Sequence, residues 1–399
     1  MIRLLVVDDS ALMRRLLGGV FAGEPDFEVA FARDGVEALE AIAARRPDVV
    51  TLDVQMPRMH GLACLDRIML EHPLPVVMVS ALTAAGAEAT LEALRLGAVD
   101  FIGKPAGVAS LSIDELAPRL VEKVRAAAGA RLRRSHRLVE RVRLRAGLGG
   151  GRGDGQGVGN GVGHGGARAE GRAEGVGGGL SIEGVPDQNP GYGPDPGAER
   201  GRGASPGLVL VGCSTGGPAA LDALLEPLPA SFPWPILIAQ HMPAAFTGPL
   251  ARRLDRLCAL TVREVTGPAP LLPGHAYVGR GDADVILGAR VGGVVAMAAP
   301  SDPERRWHPC VDRMVDSALD HMPPARMVGV LMTGMGYDGA AAMARLHAAG
   351  GLTIAEAEES AVIWGMPGEL VRVGGAGLVL PLDGIAPVLM GLAAKGLPA

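Results

Sequence analysis

The sequence predicts two α/β units in tandem, each built on a doubly wound parallel sheet. Three observations predict it. Over residues 1–125, short apolar runs of strand length alternate five times with amphipathic helical patterns, as in a parallel sheet with crossover helices. Residues 206–395 resume that alternation. Between the two, 23 of the chain's 59 glycines fall within the 57 residues 147–203, a composition that cannot build a packed core. The expected division is therefore 1–125, then a helical extension and Gly-rich linker over 126–205, then 206–395. A chain of 399 residues is long enough for about two domains with cores of their own.

In the first unit the strands are expected at 4–7, 28–31, 49–52, 76–79 and 99–102, with helices such as 11–22 and 36–44 between them. A helical pattern from Asp114 runs into an Arg-rich stretch ending near Arg145. The glycine-rich segment, with Asn189-Pro190 and the turn-rich run 191–196, reads as a flexible linker. It has no strict three-residue glycine period, which excludes collagen. In the second unit, strands are expected at 208–211, 235–239 and 327–332, and helices at 218–225, 311–322 and 339–349. Residues 285–297, broken at Gly292-Gly293, read as a hairpin.

Composition excludes several functions. A net charge of −5 with three Trp, three Tyr and six Phe lacks the phosphate attraction and stacking rings of a nucleic-acid binder. No apolar run approaches the roughly 20 residues of a membrane span. The run at 2–7 stops at Asp8-Asp9 without signal-peptide flanks, so a soluble, cytoplasmic protein is expected. The four cysteines lie far apart with no C-x-x-C, which indicates neither a zinc site nor a disulfide framework.

Doubly wound sheets carry their sites at the carboxyl ends of the strands. In the first unit Asp8-Asp9 closes the first strand, Asp53 the third and Ser80 the fourth, and Lys104-Pro105 follows the fifth. Three carboxylates on one edge repel one another unless a divalent cation neutralises them, and oxygen-only ligands with room for water suit Mg²⁺. A carboxylate there can also take up a phosphoryl group as an aspartyl phosphate, with Lys104 and Ser80 placed to hold its oxygens. An acidic pair after a strand is, by itself, a helix cap; the combination points to phosphoryl chemistry.

With V-V-D-D-S at 6–10, D-V-Q-M-P at 53–57 and F-I-G-K-P at 101–105, this unit closely resembles a response-regulator receiver domain. The resemblance implies a flavodoxin-like fold with Asp53 as the phosphoacceptor. It implies Mg²⁺ held by Asp9, Asp53 and the Gln55 backbone carbonyl, with Asp8 acting mostly through water. Ser80 and Phe101 fall at the switch positions, beside Lys104. His60 stands where the family's M-P-x-M-D-G usually has Asp, so altered loop capping with intact phosphorylation is expected.

In the second unit, L-V-L-V-G-C-S-T-G-G at 208–217 holds G-x-S-x-G between an apolar strand and a helical pattern. Two readings are open: a nucleophile elbow exposing Ser214, or a glycine-rich turn binding phosphate on its amides. A serine nucleophile needs a base, and the base an orienting acid. His241 follows the strand at 235–239 and can stand beside Ser214. Asp338 follows the strand at 327–332 at the start of a helix, where a lone Asp would simply be an N-cap. His275, His308, His321 and His347 lie in loop or helix patterns that suit a base less. The order Ser, His, Asp differs from the Ser, Asp, His of α/β-hydrolases.

G-C-S-T-G-G at 212–217, A-Q-H-M-P at 239–243, T-G-M-G-Y-D-G at 333–339 and W-G-M-P at 364–367 make this unit similar to the catalytic domain of chemotaxis protein-glutamate methylesterases, the CheB family. The resemblance implies Ser214 as nucleophile, His241 as general base and then acid, and Asp338 as the orienting acid. It adds the Met335 N–H as oxyanion donor and Thr215 as a supporting neighbour. The implied activity is a phosphorylation-activated serine hydrolase that releases methanol from glutamate methyl esters on methyl-accepting chemoreceptors and deamidates particular receptor glutamines. A chemotaxis histidine kinase is the implied phosphodonor, and the unphosphorylated receiver is expected to cover the catalytic face. The ester reaction implies no cofactor. A monomer that neither binds nucleic acid nor inserts into a membrane is expected.

Cys213 reads as a small buried residue. Around residue 356 the family commonly shows Gln followed by an acidic or amide residue. Here Ala355-Glu356-Ala357-Glu358-Glu359 stands instead, which puts the substrate-loop contacts in question. The alternative is a regulator whose output unit binds receptor or kinase without catalysis. A pure binding module has no need of Ser214, His241 and Asp338 together.

Overall fold

The structure, a computed structural model, describes residues 1–81, 83–104, 109–132 and 207–395, without the side chains of residues 84 and 109–116. Pro105, the linker at 147–203 and the Arg-rich stretch beyond 132 lie outside the described residues.

The first unit is a five-stranded parallel sheet of β1 (Ile2–Val7), β2 (Phe27–Ala32), β3 (Val49–Asp53), β4 (Val76–Ala81) and β5 (Asp100–Lys104), in the order β2-β1-β3-β4-β5. β3 is buried along its whole length, as a strand covered on both faces requires. The crossovers are α1 (Ala11–Ala22), α2 (Gly35–Arg45), α3 (Gly61–Glu71) and α4 (Ala84–Leu96), and α5 (Ala109–Ala128) closes the unit. Side-chain caps start the helices. Ser10 accepts the Met13 N–H at α1, and Asp34 accepts those of Val36 and Glu37 at α2. At α3 the cap expected to change is still made, because His60 Nδ1 accepts the Leu62 N–H at 3.3 Å.

The second unit is a seven-stranded parallel sheet. Its strands are β6 (Leu208–Cys213), β7 (Ile236–Gln240), β8 (Thr261–Val265), β10 (His275–Gly279), β13 (Met327–Leu331), β14 (Leu352–Glu356) and β15 (Leu378–Leu380). They lie in the order β15-β14-β13-β6-β7-β10-β8. The expected hairpin is present: β11 (Ala283–Arg290) and β12 (Gly293–Pro300) pair antiparallel, with β9 (Ala269–Pro270) beside β12. Val291-Gly292 make its turn, with Gly292 at positive φ, and Gly293, also at positive φ, opens β12. The helices are α6 (Gly217–Leu225), α7 (Ala244–Leu257), α8 (Val311–His321), α9 (Ala340–Ala348), α10 (Met366–Arg372) and α11 (Leu382–Lys395).

Aliphatic residues dominate the cores, as the scarcity of aromatic residues requires; Trp234, Phe232, Phe246 and Tyr277 are the large rings buried in the second unit. The two units meet where α4 lies against α6 and α7 and where Phe101 packs on Phe246, ring centres 4.3 Å apart. Among the described residues no helix is long and apolar enough to cross a membrane.

Candidate active site

In each sheet the first strand has neighbours reached in opposite directions, β2 and β3 for β1, β7 and β13 for β6. A crevice opens at the carboxyl end of such a strand. Both clusters of reactive side chains sit in these crevices.

At the end of β1 and β3, ligand oxygens of Asp8, Asp9 and Asp53 lie within 4.8 Å of one another, with Asp9 exposed and the other two buried. The Lys104 amine bridges Asp8 at 2.9 Å and Asp53 at 2.8 Å. Burial pushes the Asp53 carboxyl up, against the pull of Lys104. Three oxygen donors around one point are consistent with a Mg²⁺ site. The Gln55 N–H donates to Asp53 at 3.4 Å. Ser80 does not bond Asp53; its hydroxyl donates to the Gly86 carbonyl at 3.2 Å.

In the second crevice, Cys213 pairs with Gln240 across β6 and β7, so the residues that follow, Ser214 and His241, stand side by side. The His241 N–H donates to the Cys213 carbonyl at 3.0 Å. Gly216, at φ +79°, turns the chain out of the strand after Thr215. The Ser214 N–H donates to the Thr333 carbonyl at 3.0 Å. A Cβ on Gly334 would fall 2.8 Å from Ser214 Cβ, so only glycine lets the turn after β13 pass this close. Met335, next along, lines the same cavity as Ser214.

His241 Nε2 lies 2.8 Å from Asp338 Oδ2, with both side chains buried. Asp338 does not cap its own helix, as a lone Asp there would. Gly339 occupies that cap, and the Asp338 carboxylate turns to the N-terminus of α8, accepting the Val311 N–H at 2.7 Å and the Asp312 N–H at 3.1 Å. Burial pushes this carboxyl up, but the His241 hydrogen bond and the helix amides outweigh it and hold Asp338 below the usual carboxylate range. The other ring nitrogen, His241 Nδ1, is buried without a partner. Cys213 is fully buried beneath this pair; its thiol donates to Gln240 at 3.1 Å and burial pushes it up, so it is inert.

Sequence reasoning passed over several neighbours. Trp307 stacks parallel on His241 at 5.9 Å and meets Tyr337 edge-on at 4.9 Å. The only prior signal was a rare Trp in a loop. His308, set aside for its loop position, also lines the cavity, with Nδ1 held at 2.8 Å by the buried carboxylate of Asp284. Glu356 points away from solvent. It is fully buried, because its carboxylate turns inward to the Thr333 N–H and the Ser360 hydroxyl. Glu358 is the outward one, bound to Arg131 at 2.8 Å.

The first unit roofs this crevice. A cavity of about 310 Å³ is lined by Ser214, His241 and Met335 from below and by Phe101 and Lys123 from above. Thr215 donates its hydroxyl to the Asp100 carboxylate, and Lys123 holds the other oxygen of Asp100 at 2.8 Å. Arg306, beside Trp307, pairs with Glu122 of α5.

Residues 209–389 match the family model described as CheB methylesterase, and residues 4–113 that of the response regulator receiver domain. The chain is similar to protein-glutamate methylesterase/protein-glutamine glutaminase 2 of Rhodopseudomonas palustris, at 54% identity over 98% of both chains. It is also similar to the corresponding protein 3 of Rhodospirillum rubrum, at 47% identity over 97% of this chain and 95% of that one. Among solved structures, the CheB methylesterase catalytic domain of Thermotoga maritima is 38% identical, covering 47% of this chain and all of that one, with a TM-score of 0.46.

Proposed function

The chain belongs to the CheB family of receiver-bearing protein-glutamate methylesterases/protein-glutamine glutaminases, and we propose that Ser214, His241 and Asp338 carry its acyl transfer and Asp53 its input. The receiver is assigned to 1–125 and the hydrolase to 206–395. Ser214 Oγ attacks the γ-carbonyl of a methylated glutamate while its proton passes to His241 Nδ1. The Met335 N–H bonds the oxygen that becomes negative. His241 returns the proton to the departing oxygen, methanol leaves, and the acyl group stays on Ser214. Water, deprotonated by His241, then attacks the acyl carbon; the bond to Ser214 Oγ breaks, His241 returns the proton to that oxygen, and glutamate is released. With a glutamine side chain the leaving group is ammonia and the proton count is the same. Asp338, ionised, holds the proton on Nε2 and stabilises the imidazolium.

The observation that carries this reading is a buried imidazole, tied through one nitrogen to an ionised Asp338, with its other nitrogen unpartnered and Ser214 on the adjacent strand end.

Asp100, Phe101 and Lys123 lie over the cleft, so access for a receptor helix requires the receiver to move. Mg²⁺, when bound, offsets the negative charge of the carboxylates and of an incoming phosphoryl group. Asp9, Asp53 and the Gln55 carbonyl would hold it, with Asp8 acting through water. Lys104 exchanges its bridge between Asp8 and Asp53 for a phosphoryl oxygen, with Ser80 and Phe101 responding as the switch pair. The phosphodonor is a chemotaxis histidine kinase, the substrates are methyl-accepting chemoreceptors, and the protein works as a cytoplasmic monomer. The test is methanol release from methyl-labelled receptor membranes, with and without a small phosphodonor and Mg²⁺. Release stimulated by the phosphodonor supports the reading; phosphorylation without release would leave a binding-only regulator.

A further inference from the structure

We infer that the buried carboxylate of Glu356 is a positioning residue for the oxyanion segment, an inference that rests on the reading of Ser214 as nucleophile. Glu356 ends β14, which pairs with β13, which pairs with β6. Its side chain has no exposure and does not line the catalytic cavity, so it meets the reaction only through other groups. Oε2 accepts the Thr333 N–H at 2.8 Å, and Oε1 accepts the Ser360 hydroxyl at 2.9 Å.

Thr333 is the node between this carboxylate and the nucleophile. Its carbonyl accepts the Ser214 N–H at 3.0 Å. Its hydroxyl donates to the Thr215 carbonyl at 2.9 Å and accepts the Ile363 N–H at 3.0 Å. Gly334, next in the chain, donates its N–H to the Ile363 carbonyl at 3.0 Å. The Met335 N–H follows directly. Without an acceptor at 356, the Thr333 N–H is buried and unpaired, and the turn that carries Met335 is free to rotate towards another partner. Oxyanion donors act only within a narrow distance range, so a small rotation falls on the chemical step and not on substrate binding.

The hydrogen-bond inventory separates two variants. The Ser360 oxygen already accepts the Leu382 N–H at 3.0 Å, and its hydroxyl has a second acceptor in the Ala357 carbonyl at 3.2 Å. Glu356→Gln therefore keeps the bond to Thr333 through its amide oxygen, and the bond to Ser360 that it gives up is replaceable. Glu356→Leu, of similar bulk, removes both acceptors.

The experiment compares full-length wild type, E356Q, E356L and S214A. It measures methanol release from methylated receptor membranes, phosphoryl uptake by the receiver, thermal melting, and affinity for a boronate that adds to a serine nucleophile as an anionic tetrahedral adduct. E356Q should stay within about threefold of wild type in every readout. In E356L, kcat should fall about 10- to 100-fold, a range set by misplacing one oxyanion donor. Boronate affinity should fall in parallel, while KM stays within about twofold and phosphoryl uptake is unchanged. An E356L enzyme within about twofold of wild type in kcat overturns the inference. So does an E356L protein that loses fold and phosphoryl uptake together, or an E356Q enzyme that loses more than about tenfold while folded. Activity in S214A would remove the reading of the nucleophile itself, whatever the Glu356 variants do.

Discussion

At the carboxyl edge of the receiver sheet Asp9 is exposed and one lysine bridges the other two carboxylates, whereas at the corresponding edge of the second sheet His241 and Asp338 are buried and the receiver lies over Ser214. Both clusters occupy the crevice at a topological switch point, so topology alone does not separate them. Charge does. The receiver pocket gathers three carboxylates around one lysine, an arrangement consistent with a Mg²⁺ site. In the second pocket the Asp338 carboxylate is satisfied from within by two helix amides, a thiol and an imidazole. One site is left open to its reagents while the other is self-sufficient and roofed. An input and an output built on the same topology are thereby kept distinct.

The comparison can be broken first on the output side. Ser214→Ala should lower the rate of methanol release by on the order of 10⁶, the scale set by loss of the serine in subtilisin. Phosphoryl uptake at Asp53 should not change, as measured with a labelled small phosphodonor. Asp338→Asn should cost on the order of 10³ to 10⁴ in kcat, since an amide no longer fixes the histidine tautomer. The same variant tests the electrostatics. A carboxyl held below its unfolded-state pKa contributes stability above about pH 4, and that stability is lost as pH falls through the folded-state value. Asp338→Asn should therefore be less stable than wild type at pH 7 and lose less on going from pH 5 to pH 3, as read by urea unfolding at each pH.

On the input side, Asp53→Asn should take up no phosphoryl group and show no stimulation by phosphodonor and Mg²⁺, with basal methanol release unchanged. The roof itself is sharpened by Phe101→Ala. Removing that ring from its place against Phe246 weakens the closed arrangement by about 1–2 kcal/mol, a roughly 5- to 30-fold change in the open fraction. Basal release should rise by up to that factor, with the phosphodonor-stimulated rate nearly unchanged. The smallest effect is expected from Arg131→Ala. Its pair with Glu358 is more than half exposed on both sides, and such pairs contribute about 0–1 kcal/mol, so basal and stimulated rates should stay within about threefold.

Much of this was legible in the residues. The five strands and the crossovers of the receiver follow from period and spacing, and so does the convergence of Asp8, Asp9, Asp53 and Lys104, because each directly follows or ends a strand. Ser214 and His241 follow two strands that pair, which makes them neighbours by the same logic. Asp338 was legible as a member of the set, but its partner helix was not. The cap that a lone Asp would make at α9 is not formed; Gly339 takes the left-handed turn and leaves the carboxylate free to reach across the crevice to the N-terminus of α8. The sequence departure around Glu356 suggested an altered substrate loop, and the structure turns that residue into the interior.

What the sequence by itself determined is the list of strand-end residues and the order in which they meet, since strand period and crossover topology are local and repeat along the chain. The tertiary structure alone decided that Asp100 meets Thr215 from 115 positions away and that Trp307 lies flat on His241. These contacts join loops and helix ends whose approach depends on how two sheets and their covering helices pack in three dimensions. No period along the chain encodes them, because the groups that meet are neither regularly spaced nor on paired strands.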